Sequence, residues 1–208
     1  MKLAWNSCTL IVAPSNSGKT TLTTRIVLER NSVFNENSQL CLWYYDTAES
    51  VPEALKNRAD VIIKQGLPEI EDLKKYAHLK PLIVIDDGML KLDQNTDCLR
   101  LVSVLTHHLN MAVIFLLHSI FYSKTIRMLR LNSTYIILFK NTADMSSARC
   151  LASQLMPGKG KAFMAIYMKV TSKPYSYLLI DLDKACDDQL RLRDNLFPNE
   201  KTHVYIPV

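Results

Sequence analysis

Apolar residues in this chain fall alternately into short continuous runs and into longer stretches with a helical period. Runs of three to six apolar residues bounded by polar ones are typical of strands buried on both faces of a sheet. Strands are predicted on this basis at 9–12, 40–45, 61–63, 82–85, 112–117, 135–139 and 175–180. Helices are predicted at 20–29, 68–76, 96–109 and 145–156, and an edge strand at 204–206. This alternation predicts a largely parallel α/β sheet flanked by helices, in one domain over residues 1–208.

A phosphate-binding motif follows the first predicted strand. Residues 13–20 read Ala-Pro-Ser-Asn-Ser-Gly-Lys-Thr, which is the P-loop pattern G-x-x-x-x-G-K-[ST] with Ala13 in place of the first glycine. In this pattern the backbone N–H groups and the helix dipole hold phosphate, the lysine reaches the β- and γ-phosphates, and the final hydroxyl binds Mg²⁺. Ala13 is tolerable where φ is negative. We therefore predict an ATP site, with Lys19 also catalytic, formed by Pro14, Ser15, Asn16, Ser17, Gly18, Lys19, Thr20 and Thr21.

Two acidic residues end the predicted strand at 82–85. Carboxylates at the tip of an apolar strand are costly unless they face a cation or a polar site. We predict a Walker B motif over 82–87, in which Asp86 joins Thr20 as a Mg²⁺ ligand and Asp87 polarises the attacking water. The alternative is a solvated Asp-Asp-Gly turn, but the preceding P-loop favours nucleotide hydrolysis.

One histidine follows the predicted strand at 112–117. In many P-loop ATPases a polar residue at the tip of the strand beside Walker B senses the γ-phosphate, and His118 stands at that place. We predict His118 as a catalytic sensor, with a purely structural histidine as the alternative.

The positive charge is concentrated in the second half of the chain. The net charge is +5, but residues 101–180 contain nine basic side chains and one acid, Asp144. This asymmetry indicates an anionic partner, and the interleaved Phe163, Tyr167 and Tyr175 fit tracking of a nucleic-acid backbone. The segment 157–161, Pro-Gly-Lys-Gly-Lys, is predicted as a flexible loop that grips phosphates. The predicted nucleic-acid contacts are Lys140, Lys159, Lys161, Lys169 and Lys173, and solvated helix faces are the alternative for most other charges.

The composition of the chain indicates whether it crosses a membrane and in which redox compartment it occurs. The longest apolar run, 111–117, has seven residues, far below the roughly 20 that a membrane span needs, so no membrane association is expected. Five cysteines without a CxxC pair are read as buried free thiols. We expect a reducing intracellular compartment.

The chain resembles the FtsK/HerA-type genome-packaging ATPases of double-stranded DNA viruses and virus-like transposons, in particular the Polinton and adintovirus group. The most distinctive matches are Leu-Asn-Ser at 131–133, Tyr-Ile-Ile-Leu-Phe-Lys-Asn at 135–141, and Ser-Lys-Pro-Tyr-Ser-Tyr-Leu-Leu-Ile-Asp-Leu at 172–182. Leu-Arg-Leu-Arg at 190–193 is also among the distinctive matches, and 13–20, 65–68, 85–87, 106–108 and 112–117 match in the same order.

The resemblance implies an ASCE P-loop fold of the RecA/FtsK-HerA kind and ATP-driven translocation of double-stranded DNA into a capsid. It further implies a homo-oligomeric ring with nucleotide between subunits, and capsid or portal-vertex proteins as partners. The location that it implies is the host nucleus or cytoplasm, with the virion as a further location. The DNA-facing and intersubunit region would span about 121–175. The resemblance implies Arg127 as the arginine finger, with Arg130 as the second candidate.

The chain departs from the family pattern at three places. Besides Ala13, His118-Ser119 stands where a Gln-Asn pair is common, and Leu109 stands where a basic residue often follows two histidines. These departures leave open a degenerate nucleotide-binding adaptor that assembles without turnover. A DNA helicase or partition ATPase is a further alternative, because it shares the Walker chemistry.

Overall fold

Residues 2–86, 100, 102 and 108–208 are described by the computed structural model, and they form a nine-stranded sheet with helices on both faces. The strands are β1 Cys8–Val12, β2 Leu40–Tyr45, β3 Val61–Gln65, β4 Pro81–Asp86, β5 Ala112–Leu117, β6 Tyr135–Phe139, β7 Tyr177–Asp181, β8 Leu192–Arg193 and β9 Val204–Tyr205. The predicted strands at 40–45, 112–117 and 135–139 are confirmed to the residue. The others agree within two residues at each end.

The strand order is β3-β2-β4-β5-β1-β6-β7-β8-β9. Neighbours from β3 to β6 pair in parallel, and β7, β8 and β9 continue the sheet antiparallel. The carboxyl ends of the parallel strands therefore meet at one edge, where ligands bind in open α/β sheets. One strand, β5, lies between the P-loop strand β1 and the acid-tipped β4, which is the ASCE arrangement. The predicted fold class is confirmed.

Helices cover both faces of the sheet. They are α1 Lys19–Leu28, α2 Arg30–Val33, α3 Glu53–Lys56, α4 Ile70–Tyr76, α5 Lys124–Leu131, α6 Met145–Leu155 and α7 Gly160–Val170, with 3₁₀ turns at Ala48–Ser50, Ala77–Leu79 and Asp188–Leu190. Alternate strand residues point to opposite faces, so Leu10 packs in the layer with α4 to α7, and Ile11 in the layer with α1 to α3. Among the described helices, none is long and apolar enough to cross a membrane.

The structure corrects the interpretation of the segment around 157–170. The predicted phosphate-gripping loop is short, because α7 begins at Gly160, and this helix was not predicted. Phe163 and Tyr167 are buried on its inner face, so their assignment to nucleic-acid tracking is wrong. An apolar spacing of three and four residues, at 163, 167 and 170, packs α7 on the sheet. The lysines of this segment led to a nucleic-acid interpretation, although its apolar positions have the spacing of a helix.

The cysteine prediction is confirmed only in part. Cys8 and Cys41 are free and buried, and burial raises the pKa of each thiol to about 12. Cys150 is free but exposed and Cys186 is free but half-buried, so the expected burial is wrong for these two. Cys98 and most of the helix predicted at 96–109 lie outside the described residues.

Candidate nucleotide site

Three polar segments meet where the central parallel strands end. The P-loop follows β1, Asp86 ends β4, and His118 follows β5. Strand register pairs Asp86 with Leu116 and Val12 with Leu117, and the Ala13 N–H donates to the Leu117 carbonyl at 3.0 Å. Since adjacent strands lie about 4.8 Å apart, the three segments share one edge of the sheet.

The P-loop is held open by two residues in the left-handed region. Asn16 has φ of +59° and Gly18 has φ of +91°, and Gly18 is the N-cap of α1. Asparagine and glycine are the residues that adopt this conformation at the lowest cost. Ala13 is buried and has negative φ, as the sequence expectation required, so the missing first glycine introduces no backbone strain.

Lys19 and His118 are brought into contact. Lys19 is 8% exposed, and its Nζ lies 3.4 Å from Nδ1 of His118. The predicted phosphate-binding lysine and the predicted sensor therefore occupy one place. A γ-phosphate seated on the P-loop would lie within reach of both side chains.

The donors for a divalent cation also lie at this edge. Thr20 is in the first turn of α1, and the Asp86 carboxylate is buried at the end of β4. Hydroxyl and carboxylate oxygens are hard ligands that suit Mg²⁺, which in NTP sites takes one or two protein ligands and completes its shell with phosphates and water. The described part of the chain contains no group of three or more His, Cys, Asp or Glu side chains that could hold a metal ion. Asp87 lies outside the described residues.

A segment that the sequence analysis did not assign to the nucleotide lies against the P-loop. The Tyr175 ring lies so close to Gly18 that a Cβ added there would be 2.9 Å from Tyr175 Cδ1. One cavity of about 360 Å³ is lined by Asn16, Ser17, Lys140 and Lys173, among others, and a second of about 500 Å³ lies beside Gly18 and Thr21. The sequence offers one signal for this segment, Lys-Pro-Tyr-Ser at 173–176 directly before a buried strand. It does not show that the segment lies against the P-loop.

The five lysines predicted to contact DNA lie in two places. Lys140 and Lys173 line the cavity next to the P-loop. Lys159 directly precedes α7, and Lys161 and Lys169 are exposed in its first and last turns. Their role on DNA stays a prediction.

The two finger candidates differ in environment. Arg127 is exposed on α5, on the opposite layer of the sheet from α1. Arg130 is buried, donates to Gln154 Oε1, and lies 4.8 Å above the centre of the Phe121 ring. Burial also lowers the pKa of Arg130. Of the two, only Arg127 is exposed at the surface of the chain.

The strand order and the P-loop between β1 and α1 give the chain the P-loop NTPase fold of the ASCE kind. No protein-family model matches the sequence, and no curated protein matches it either. Among solved structures, the DNA-packaging ATPase B204 of Sulfolobus turreted icosahedral virus is similar over 99% of this chain and 100% of its own, with a TM-score of 0.61 and 11% identity.

Two further structures are similar. The genome-packaging NTPase B204 of Sulfolobus turreted icosahedral virus 2, in complex with ATP-γS, matches over 98% of both chains with a TM-score of 0.58 and 10% identity. The cytoplasmic domain of the type VII secretion ATPase EccC from Thermomonospora curvata matches over 97% of this chain but 25% of its own, with a TM-score of 0.56 and 14% identity. The resemblance to FtsK/HerA-type packaging ATPases is confirmed at the level of the fold.

Proposed function

We propose that this chain is an ATP-hydrolysing motor that translocates double-stranded DNA into a viral capsid. The observation that carries the proposal is the contact between Lys19 and His118 beside buried Asp86, at the ligand-binding edge of this fold. The end-to-end similarity to viral DNA-packaging ATPases supports the choice of packaging among the tasks of P-loop NTPases.

The residues of the site have separable roles in hydrolysis. The P-loop N–H groups and Lys19 bind and orient the phosphates, and Thr20 and Asp86 would hold Mg²⁺. Bound Mg²⁺ supplies charge neutralisation at the β- and γ-phosphates. Asp87 orients the attacking water, while His118 responds to the γ-phosphate through its contact with Lys19.

Assembly and DNA binding complete the proposed motor. Exposed Arg127 would complete the site of a neighbouring subunit in a homo-oligomeric ring, because transition-state charge on the phosphates needs a further cation. Lys159, Lys161 and Lys169 would track the DNA backbone by charge, without reading the bases. Capsid or portal-vertex proteins are the proposed docking partners of the ring.

The decisive experiment measures ATP hydrolysis with and without double-stranded DNA, together with the oligomeric state. We expect stimulation by DNA, loss of turnover in Lys19→Ala, and unchanged turnover in Lys75→Ala, which removes an exposed lysine of α4. Combined Lys161→Ala and Lys169→Ala should reduce only the DNA-stimulated rate. A wild-type rate no higher than that of Lys19→Ala, in assembled protein with DNA, refutes the motor.

A nucleotide-binding adaptor without turnover is the second candidate. The histidine in contact with Lys19 favours it, because the resemblance leads one to expect glutamine at that position. Tight ATP binding without phosphate release under any partner condition would establish the adaptor. Strand separation on a forked duplex would instead indicate a helicase.

A further inference from the structure

A cavity of about 500 Å³ opens beside the first two turns of α1. Gly18, Thr21 and Arg25 line it from the P-loop and α1, and Pro174 and Tyr175 line it from the segment before β7. Its volume lies within the range of small-molecule sites. Since Gly18 belongs to both the P-loop and the cavity, a ligand with its phosphates on the P-loop can extend directly into the cavity.

One wall of the cavity carries a fixed planar cation. The Arg25 guanidinium lies 3.6 Å from the centre of the Phe197 ring, and its Nε donates to Glu29 at 2.8 Å. A second carboxylate, from Glu200, accepts from Nη1 of the same guanidinium. These contacts hold the flat guanidinium in one orientation, so that a second flat group can stack near it at a low entropic cost.

Another wall carries an exposed aromatic ring. Tyr175 is 72% exposed and has φ of +62°, although a bulky side chain rarely adopts the left-handed region. The turn that presents it is closed by Ser176, whose N–H and Oγ both donate to the Lys173 carbonyl, at 3.3 and 2.6 Å. The strained φ places the ring at the cavity wall beside Gly18, where its exposed face is open to a flat group of a ligand.

We propose that this cavity binds the base of the nucleoside triphosphate, with the Tyr175 ring as the stacking platform. The inference rests on the proposed function, which places the phosphates on the P-loop. A nucleobase has two flat π faces, which match an aromatic ring and a guanidinium plane. Tyr175 therefore makes the site prefer a nucleotide to a bare polyphosphate.

The test compares the binding of ATP and of inorganic tripolyphosphate to the full chain by calorimetry. We expect Tyr175→Ala to weaken ATP binding about tenfold, the scale of one base–aromatic stack, and to leave tripolyphosphate binding unchanged. Tyr175→Phe should bind ATP as the wild type does, because it keeps the ring. Leu190→Ala, which removes another exposed apolar side chain, is the matched control.

The outcomes separate this inference from the proposed function. If Tyr175→Ala weakens the binding of ATP and of tripolyphosphate equally, or weakens neither, the base site is overturned and the phosphate site is not affected. Wild-type protein that binds tripolyphosphate as tightly as ATP also overturns the base site alone. Wild-type protein that binds neither ligand overturns the proposed function, and the inference with it. The urea midpoint of each variant shows whether it is folded.

Discussion

Replacement of Gly18 by alanine should destabilise the protein through two effects that can be measured separately. The first is backbone strain, because Gly18 has φ of +91°, and an L-residue there costs about 1–2 kcal/mol. The second is the new Cβ, which would lie 2.9 Å from Tyr175 Cδ1. Since the Tyr175 ring is largely exposed, it can turn aside, at about 0.5–1.5 kcal/mol for a distorted rotamer.

Gly66 provides a matched control for the strain. It has the same φ of +91°, but no atom lies within 4 Å of a Cβ built there. Gly66→Ala should therefore lose about 1–2 kcal/mol of unfolding free energy, and Gly18→Ala should lose more. In a Tyr175→Ala background the Gly18→Ala cost should fall to that of Gly66→Ala, because only the strain remains.

Urea unfolding followed by circular dichroism measures all four variants and the wild type. If Gly66→Ala is as stable as the wild type, the reasoning from positive φ is wrong. Should Gly18→Ala cost no more than Gly66→Ala, with no coupling to Tyr175, the contact between the ring and the P-loop does not exist in solution. The proposed base site would then lose one wall.

Three further predictions concern other contacts. Tyr167→Phe should lower the free energy of unfolding in urea by about 1–3 kcal/mol. The Tyr167 hydroxyl donates to the Phe139 carbonyl at 2.9 Å and accepts from the Asn141 N–H at 3.0 Å, just after β6. A hydrogen bond from Arg58, with a further contribution from Arg30, lowers the pKa of Asp60 to about 2, so Asp60 stabilises the fold above pH 4 and loses this effect as the pH falls towards 2. Asp60→Asn should therefore cost about 1–2 kcal/mol at pH 7 and almost nothing at pH 2, and equal losses at both values would contradict this. Arg127→Ala should abolish DNA-stimulated hydrolysis at unchanged thermal stability, whereas Arg130→Ala should lower the melting temperature, and the reverse pattern would exchange their roles.

Most of the fold could be predicted from the sequence because its signals are local. A strand buried on both faces is a short apolar run, and the runs at 40–45, 112–117 and 135–139 match β2, β5 and β6 to the residue. Helix α7 was missed because its lysines and glycines obscured three apolar positions at helical spacing. Local periodicity predicts an element well only where one pattern dominates the segment.

The composition of the candidate phosphate site is a prediction from the sequence. A P-loop is a contiguous strand, turn and helix, and its residues act through their own backbone and side chains. The structure adds the two left-handed residues, Asn16 and Gly18, and the negative φ that makes Ala13 acceptable.

What only the tertiary structure decided is which distant residues meet. Lys19 and His118 are 99 residues apart and touch because β5 pairs with β1. Tyr175 lies against Gly18, and Arg130 is buried while Arg127 is exposed. Strand order and packing set these distances, and neither is encoded in the spacing of residues along the chain. The sequence alone thus determined a P-loop chain with a mainly parallel sheet, and the tertiary structure decided which side chains surround the P-loop.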